Sequence, residues 1–173
     1  MYRYIEAVVD ADAALAALTL QNDVVDWDVS MRARQTASFG VPYNYTQMQY
    51  AARPFLPVLQ QLADAVARHT GWTPNNCLLN RYPDGRAAMG WHVDDESGFV
   101  EGTGVAIVSL GAAREFAFRK ISDHADRTTL TLMPGSLMIL TPELQANYQH
   151  ALLAAVAEDV GVRVSATFRF LRT

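Results

Sequence analysis

His92 and Asp94 set an imidazole and a carboxylate two positions apart, and a second isolated histidine, His150, follows far downstream. On an extended strand, side chains at i and i+2 point to one face. His92 and Asp94 can therefore grip one ion together while Val93 turns away. A third ligand from a distant strand completes two histidines and one carboxylate on one side of a metal. Such a facial triad leaves positions open for a cosubstrate and for oxygen, the arrangement of mononuclear non-haem Fe(II) oxygenases. A His-x-Asp pair also arises by chance on surfaces, so other residues must supply the rest of such a site.

Two further stretches do so. In GVRVSATFRFL, near the C-terminus, Arg163, Ser165, Thr167 and Arg169 share one face, and Val164, Ala166, Phe168 and Phe170 share the other. The apolar face has a core to fill, whereas the arginine face needs another explanation. Six positions separate the α-carbons of the two arginines by roughly 20 Å on a strand. Both side chains can reach inward to a short dianion, and the rigid guanidinium fork suits carboxylates. A solvent-facing strand bearing two arginines would read the same in isolation. In NCLLNRY, Asn80 and Tyr82 fall on one face just before the turn that leads to His92. Both offer hydrogen bonds that orient a carboxylate.

These residues need elements to position them. Residues 2–9 alternate loosely as a strand, and Asp10, Asp12 and the alanines after them read as a short helix. Residues 30–50 are polar, aromatic and broken by Gly and Pro, which predicts irregular structure or a hairpin. Pro54 opens a helix of about 15 residues with Leu56, Val58, Leu59, Leu62 and Val66 at helical spacing, stopped by Thr70 and Gly71. Strands are then expected at 76–82, 88–94, 104–110, 115–119, 128–133, 136–140, 148–152 and 162–171, with turns at Pro83-Asp84-Gly85, Gly111, Pro134-Gly135 and Gly161. The prediction is α+β, mostly β: a jelly-roll barrel supported by one or two N-terminal helices.

A chain of 173 residues fits one domain with a sizeable core. Half of it is hydrophobic and its mean hydropathy is +0.01, which suits an ordinary globular protein rather than a disordered one. No apolar run approaches the roughly 20 residues that span a bilayer, so no membrane association is expected. The first residues carry acidic groups where a signal peptide carries positive charge, and a cytoplasmic monomer is the expectation. The single cysteine, Cys77, excludes an intrachain disulfide and a cysteine-based metal site, and reads as a buried apolar residue. The net charge of −4 requires any basic surface to be local, with Arg32, Arg34, Arg119, Lys120 and Arg127 to build it. Trp91 is expected to pack away from the metal, Tyr148 to share the face of His150, and Asp95 to turn to the opposite face.

The stretches NRYPDGRAAMGWHVDDE, VSLGAAREFAFRK, MPGSLMILTPELQANYQH and RVSATFR, in this order over residues 76–171, resemble the AlkB family of 2-oxoglutarate- and Fe(II)-dependent dioxygenases. Upstream, MRARQTASFGVPYNY resembles the segment preceding the barrel in AlkB-type demethylases. The resemblance implies a double-stranded β-helix within a single domain, 1–173: about 1–75 as an extension with helices and a substrate lid, 76–173 as the jelly-roll core. It implies Fe(II) ligation by His92, Asp94 and His150, with O2 as a further cosubstrate. It implies 2-oxoglutarate binding by Asn80, Tyr82, Arg163 and Arg169, with Arg163 on the distal carboxylate and Arg169 nearer the metal. Glu96 matches an acidic position that contacts the exocyclic group of a damaged base. Phe39, Tyr43 and Tyr45 lie in the lid-like segment as candidates for stacking, and Arg119 at a strand end is a candidate phosphate contact. Where the family's last motif often carries Asn, this chain has Ser165, whose shorter reach is expected to weaken or remove one cosubstrate hydrogen bond. The implied activity is oxidative demethylation of alkylated nucleobases in DNA or RNA. The alternative keeps the same iron chemistry on a protein or small-molecule substrate.

Overall fold

The computed structural model describes residues 2–19, 25–31, 33–43, 50–155, 157 and 160–173. Among these, the order is β1 (Tyr2–Ile5), α1 (Ala11–Thr19), β2 (Gln35–Gly40), α2 (Pro57–Thr70), β3 (Asn76–Tyr82), β4 (Met89–His92), β5 (Val105–Gly111), β6 (Arg114–Lys120), β7 (Arg127–Leu132), β8 (Leu137–Leu140), α3 (Pro142–Asn147), β9 (Tyr148–Leu152) and β10 (Arg163–Arg169). The strands form a six-stranded sheet, β1-β8-β5-β10-β3-β2, facing a four-stranded sheet, β4-β9-β6-β7. All pairings are antiparallel. This is the expected jelly roll.

Strand alternation divides the core in two. On the outer face of the large sheet, Ala37, Leu79, Ala106, Val108, Leu110, Val164, Ala166 and Phe168 pack with Leu18 of α1 and Leu59, Leu62 and Val66 of α2. Between the sheets, Tyr82, Val105, Ile107, Phe116, Phe118, Met138, Leu140 and Leu152 form a second cluster. The apolar side of β10 thus faces the helices, and its arginine side faces the space between the sheets.

Four elements depart from expectation, each for a local reason. The first strand stops at Ile5, and Ala7 just beyond adopts a positive φ of 52°. The long helix begins at Pro57 rather than Pro54. Leu56 precedes a proline and is held extended at φ −65°, ψ 154°. Residues 35–40, read as irregular or a hairpin, form the edge strand β2, paired with β3 from Gln35↔Arg81 to Gly40↔Asn76. Helix α3 had no counterpart in the sequence reading, although its Thr141 cap, accepting from the Leu144 N–H, and Pro142 in the first turn are ordinary start signals.

Gly40 ends β2 with φ +83°, and a Cβ there would lie 2.0 Å from the Asn75 carbonyl oxygen. Gly40→Ala combines left-handed strain with a backbone clash. Urea unfolding is expected to show a stability loss of at least about 2 kcal/mol; an unchanged midpoint would contradict this placement.

Candidate active site

His92 and His150 are register partners across β4 and β9, with ring centroids 4.2 Å apart. β4 ends at His92, so Asp94 lies just beyond the strand rather than on it as expected. The side chains still converge: one ligand atom each from His92, Asp94 and His150 all lie within 4.8 Å of one another. His150 is 3% exposed and stacks on Phe116, with centroids 5.4 Å apart. The His92 Nδ1 faces the Gly90 carbonyl at 2.8 Å. A carbonyl only accepts, so Nδ1 carries the proton and Nε2 keeps its lone pair for a metal.

The electrostatics suit a cation. Burial alone would raise Asp94, but the guanidinium of Arg169 and the two imidazoles outweigh it and hold the carboxyl well below the usual range. The Arg169 Nη2 donates to Asp94 Oδ1 at 2.6 Å. Burial pushes His150 down to about 4, against the pull of Asp94. An ionised Asp94 carboxylate and a His150 that gives up its proton readily suit metal ligation, which takes deprotonated donors. This donor set can hold Fe(II).

Beside the triad lies a cavity of about 180 Å³, room for roughly six waters. At its far wall Arg163 is 1% exposed. Its Nη2 donates to Ser109 Oγ at 3.0 Å, its guanidinium carbon lies 5.4 Å from the Tyr82 ring centre, and its Nε has no partner among the described residues. Burial lowers it to about 10, so it stays charged at neutral pH. No carboxylate among the described residues forms an ion pair with it. A buried, unpaired guanidinium is costly by itself and suits an incoming carboxylate. Ser165 pairs with Asn80, and Arg163 with Tyr82, across β10 and β3. All four line the cavity with Thr167 and Arg169. The Arg34 Nε donates to Asn80 Oδ1 at 2.8 Å, which leaves the Asn80 amide protons to point elsewhere.

The residues considered for substrate scatter. Tyr43 lines the cavity, is buried against Phe99 and lies under the Arg169 guanidinium, 4.2 Å from ring centre to carbon. Glu96 is half-buried with an unpartnered Oε1, and burial, followed by Asp94 and Glu143, raises its carboxyl. Phe39 requires correction: it is 3% exposed in the core beneath α2, with Arg53 over its ring, so no base can stack on it. Arg119 lies outside the cavity, because Phe116 and Phe118 take the inner positions of β6. It covers Trp91 at 4.5 Å and donates to Gln149. Tyr148 packs beside the inner cluster without lining the cavity. Tyr45 and Arg32 fall outside the described residues.

Three contributors were not read from the sequence. Gln145 of α3 donates to Asp94 Oδ2 at 3.2 Å. Arg34 was read only as surface charge. The buried Arg114 donates to the Asp84, Ala87 and Leu153 carbonyls and so anchors the turn that leads into β4. Only the Thr-Pro start of α3 offered a signal, and it pointed to the helix rather than to the contact.

A two-sheet jelly roll with a two-histidine, one-carboxylate cluster beside an arginine-walled cavity defines the class. The chain matches the 2OG-Fe(II) oxygenase superfamily over residues 16–169 and belongs to it. It is 34% identical over 137 residues to the DNA oxidative demethylase ALKBH2 of Mus musculus, covering 75% of this chain and 57% of that protein. It is also 34% identical over 127 residues to alpha-ketoglutarate-dependent dioxygenase alkB homolog 3 of Rattus norvegicus, covering 68% of this chain and 43% of that protein. The chain thus spans about half the length of these curated relatives. The solved structure of OsALKBH1 shares its fold, with a TM-score of 0.70 at 15% identity, covering 97% of both chains. No helix among the described residues is long and apolar enough to cross a membrane.

For the metal-free protein the histidine shift sets an acid limit. An unfolded histidine titrates near 6.5 and native His150 at about 4. Between these values the unfolded chain binds more protons, so stability falls as pH drops through this window. Asp94 adds a loss in the same direction at lower pH, because its folded carboxyl is depressed. Denaturant midpoints of chelator-treated protein should decline from neutrality to about pH 4.5, with a shallower decline for His150→Gln. A flat profile for both proteins would refute the assignment.

Proposed function

We propose that this protein is an Fe(II)- and 2-oxoglutarate-dependent dioxygenase that removes alkyl groups from the nitrogens of nucleobases in DNA or RNA. The observation that carries the reading is the buried Arg163, charged and without a carboxylate partner among the described residues, in the same cavity as His92, Asp94 and His150. The two imidazoles and Asp94 would hold the metal. Arg163 would take the distal carboxylate of 2-oxoglutarate, Asn80 and Tyr82 would add hydrogen bonds, and Arg169 would hold Asp94 ionised while facing the metal end. With O2, the bound iron and 2-oxoglutarate supply an oxidation that hydroxylates the N-alkyl carbon, giving succinate and CO2, after which the alkyl group leaves as an aldehyde.

The protein's part is to exclude water and to present the alkyl carbon at the mouth. The base must arrive flipped or single-stranded, since the metal cluster is recessed. Tyr43 borders the cavity, and Glu96 offers an unpaired acceptor to an exocyclic amino group. The similarity to the DNA oxidative demethylase ALKBH2 of Mus musculus supports nucleic acid as the substrate. A monomer in the cytoplasm belongs to the same proposal, and the single cysteine, buried and unable to form an intrachain disulfide, fits a reducing compartment. The net charge of −4 favours a second reading, in which the same chemistry acts on a protein side chain or small metabolite.

Anaerobic addition of Fe(II) and 2-oxoglutarate should produce a visible metal-to-ligand charge-transfer band. Admitting air with methylated oligonucleotides should then release succinate and formaldehyde together. Succinate without formaldehyde on every oligonucleotide would move the substrate to the second reading, and absence of the band would sink the iron chemistry. His92→Ala should lower succinate formation about a hundredfold or more. Arg163→Met should weaken 2-oxoglutarate binding by about a hundredfold, as expected for removing one partner of a buried charge pair. Full turnover in either variant would overturn these assignments.

A further inference from the structure

Gln145 is 4% exposed and lies within α3, which runs directly into β9. Its Nε2 is 3.2 Å from Asp94 Oδ2, and its Oε1 has no hydrogen-bond partner among the described residues. A carboxylate only accepts, so the amide nitrogen must be the atom that faces it; the flipped amide would oppose two acceptors. Asp94 is thus held at both oxygens. Oδ1 takes the charged donor of Arg169 at 2.6 Å, and Oδ2 takes the neutral donor of Gln145. Oδ2 is also the oxygen 3.4 Å from His150 Nε2.

We infer that Gln145 is a positioning residue that fixes the plane of the Asp94 carboxylate, so that Oδ2 serves as a one-oxygen metal ligand. Three features carry the inference. Arg169 occupies Oδ1, and Oδ2 is the oxygen that faces His150. An amide steers that oxygen without adding a second positive charge that would oppose a cation. The α3–β9 stretch carries both Gln145 and His150, so one local structure delivers the steering donor and a ligand to the same oxygen.

The inference rests on the metal reading above, and the test separates the two. Full-length wild type, Gln145→Met and Gln145→Leu are titrated with Mn(II) in the absence of 2-oxoglutarate, and the free ion is read by EPR. Thermal midpoints of the metal-free proteins are measured alongside. Both variants should bind Mn(II) about tenfold more weakly than wild type. Their metal-free midpoints should fall by a few degrees at most, because the buried Asp94 carboxylate loses one of its two donors. Variant affinities within about twofold of wild type would overturn the role. A fall in affinity that vanishes when Mn(II) is titrated well below the lowered midpoints of both variants would also overturn it, in favour of a packing role. A wild-type protein that takes up no Mn(II) would instead defeat the metal reading, and this inference with it.

Discussion

The ion pair between Arg169 and Asp94 is the constraint on which the site depends. Arg169 belongs to β10 of the large sheet, and Asp94 follows β4 of the small one, so the pair crosses the space between the layers. Both groups are almost fully buried. Taking two charges out of water is costly, and their attraction repays that only with good geometry and further hydrogen bonds. Here the 2.6 Å contact supplies the geometry and the Gln145 amide the further hydrogen bond. The result is a carboxylate kept ionised in a dry place, which a metal ligand has to be.

The same strand carries the second buried charge. Arg163 and Arg169 bracket the polar side of β10, and the opposite side bonds the sheet to α1 and α2 through Val164, Ala166 and Phe168. The helices therefore have a functional consequence. By covering the outer face of the large sheet they leave the inner face as the place where polar side chains can meet. β3 and β5 flank β10 on either side and contribute Asn80, Tyr82 and Ser109 to that face. A solvent-exposed strand with two arginines was the plain alternative, and burial of both decides against it.

Much of this was legible because period-two alternation is a local property. The strands β3 and β9 have the predicted bounds, and most others differ by a residue or two. Elements whose formation depends on a neighbour were harder to read. β2 is polar and ends in glycine, and it becomes a strand only because β3 offers an edge to pair with. Phe39 illustrates the cost: as part of a loop it could be a stacking group, but as part of β2 its direction is set by the pleat, into the core. Arg34 looked like surface charge because nothing local ties it to Asn80, 46 positions away.

By itself, the sequence determined the chemical inventory and the face on which each strand residue lies, since side-chain period and residue type need no partner. It also determined the family, through motifs kept in order along the last hundred or so residues. Only the tertiary structure decided which faces turn inward, that Asp94 is steered by a glutamine from a short helix, and that Arg119 belongs to the outside. Those outcomes depend on how two sheets twist and close on each other, and closure is set by contacts between residues far apart in the chain.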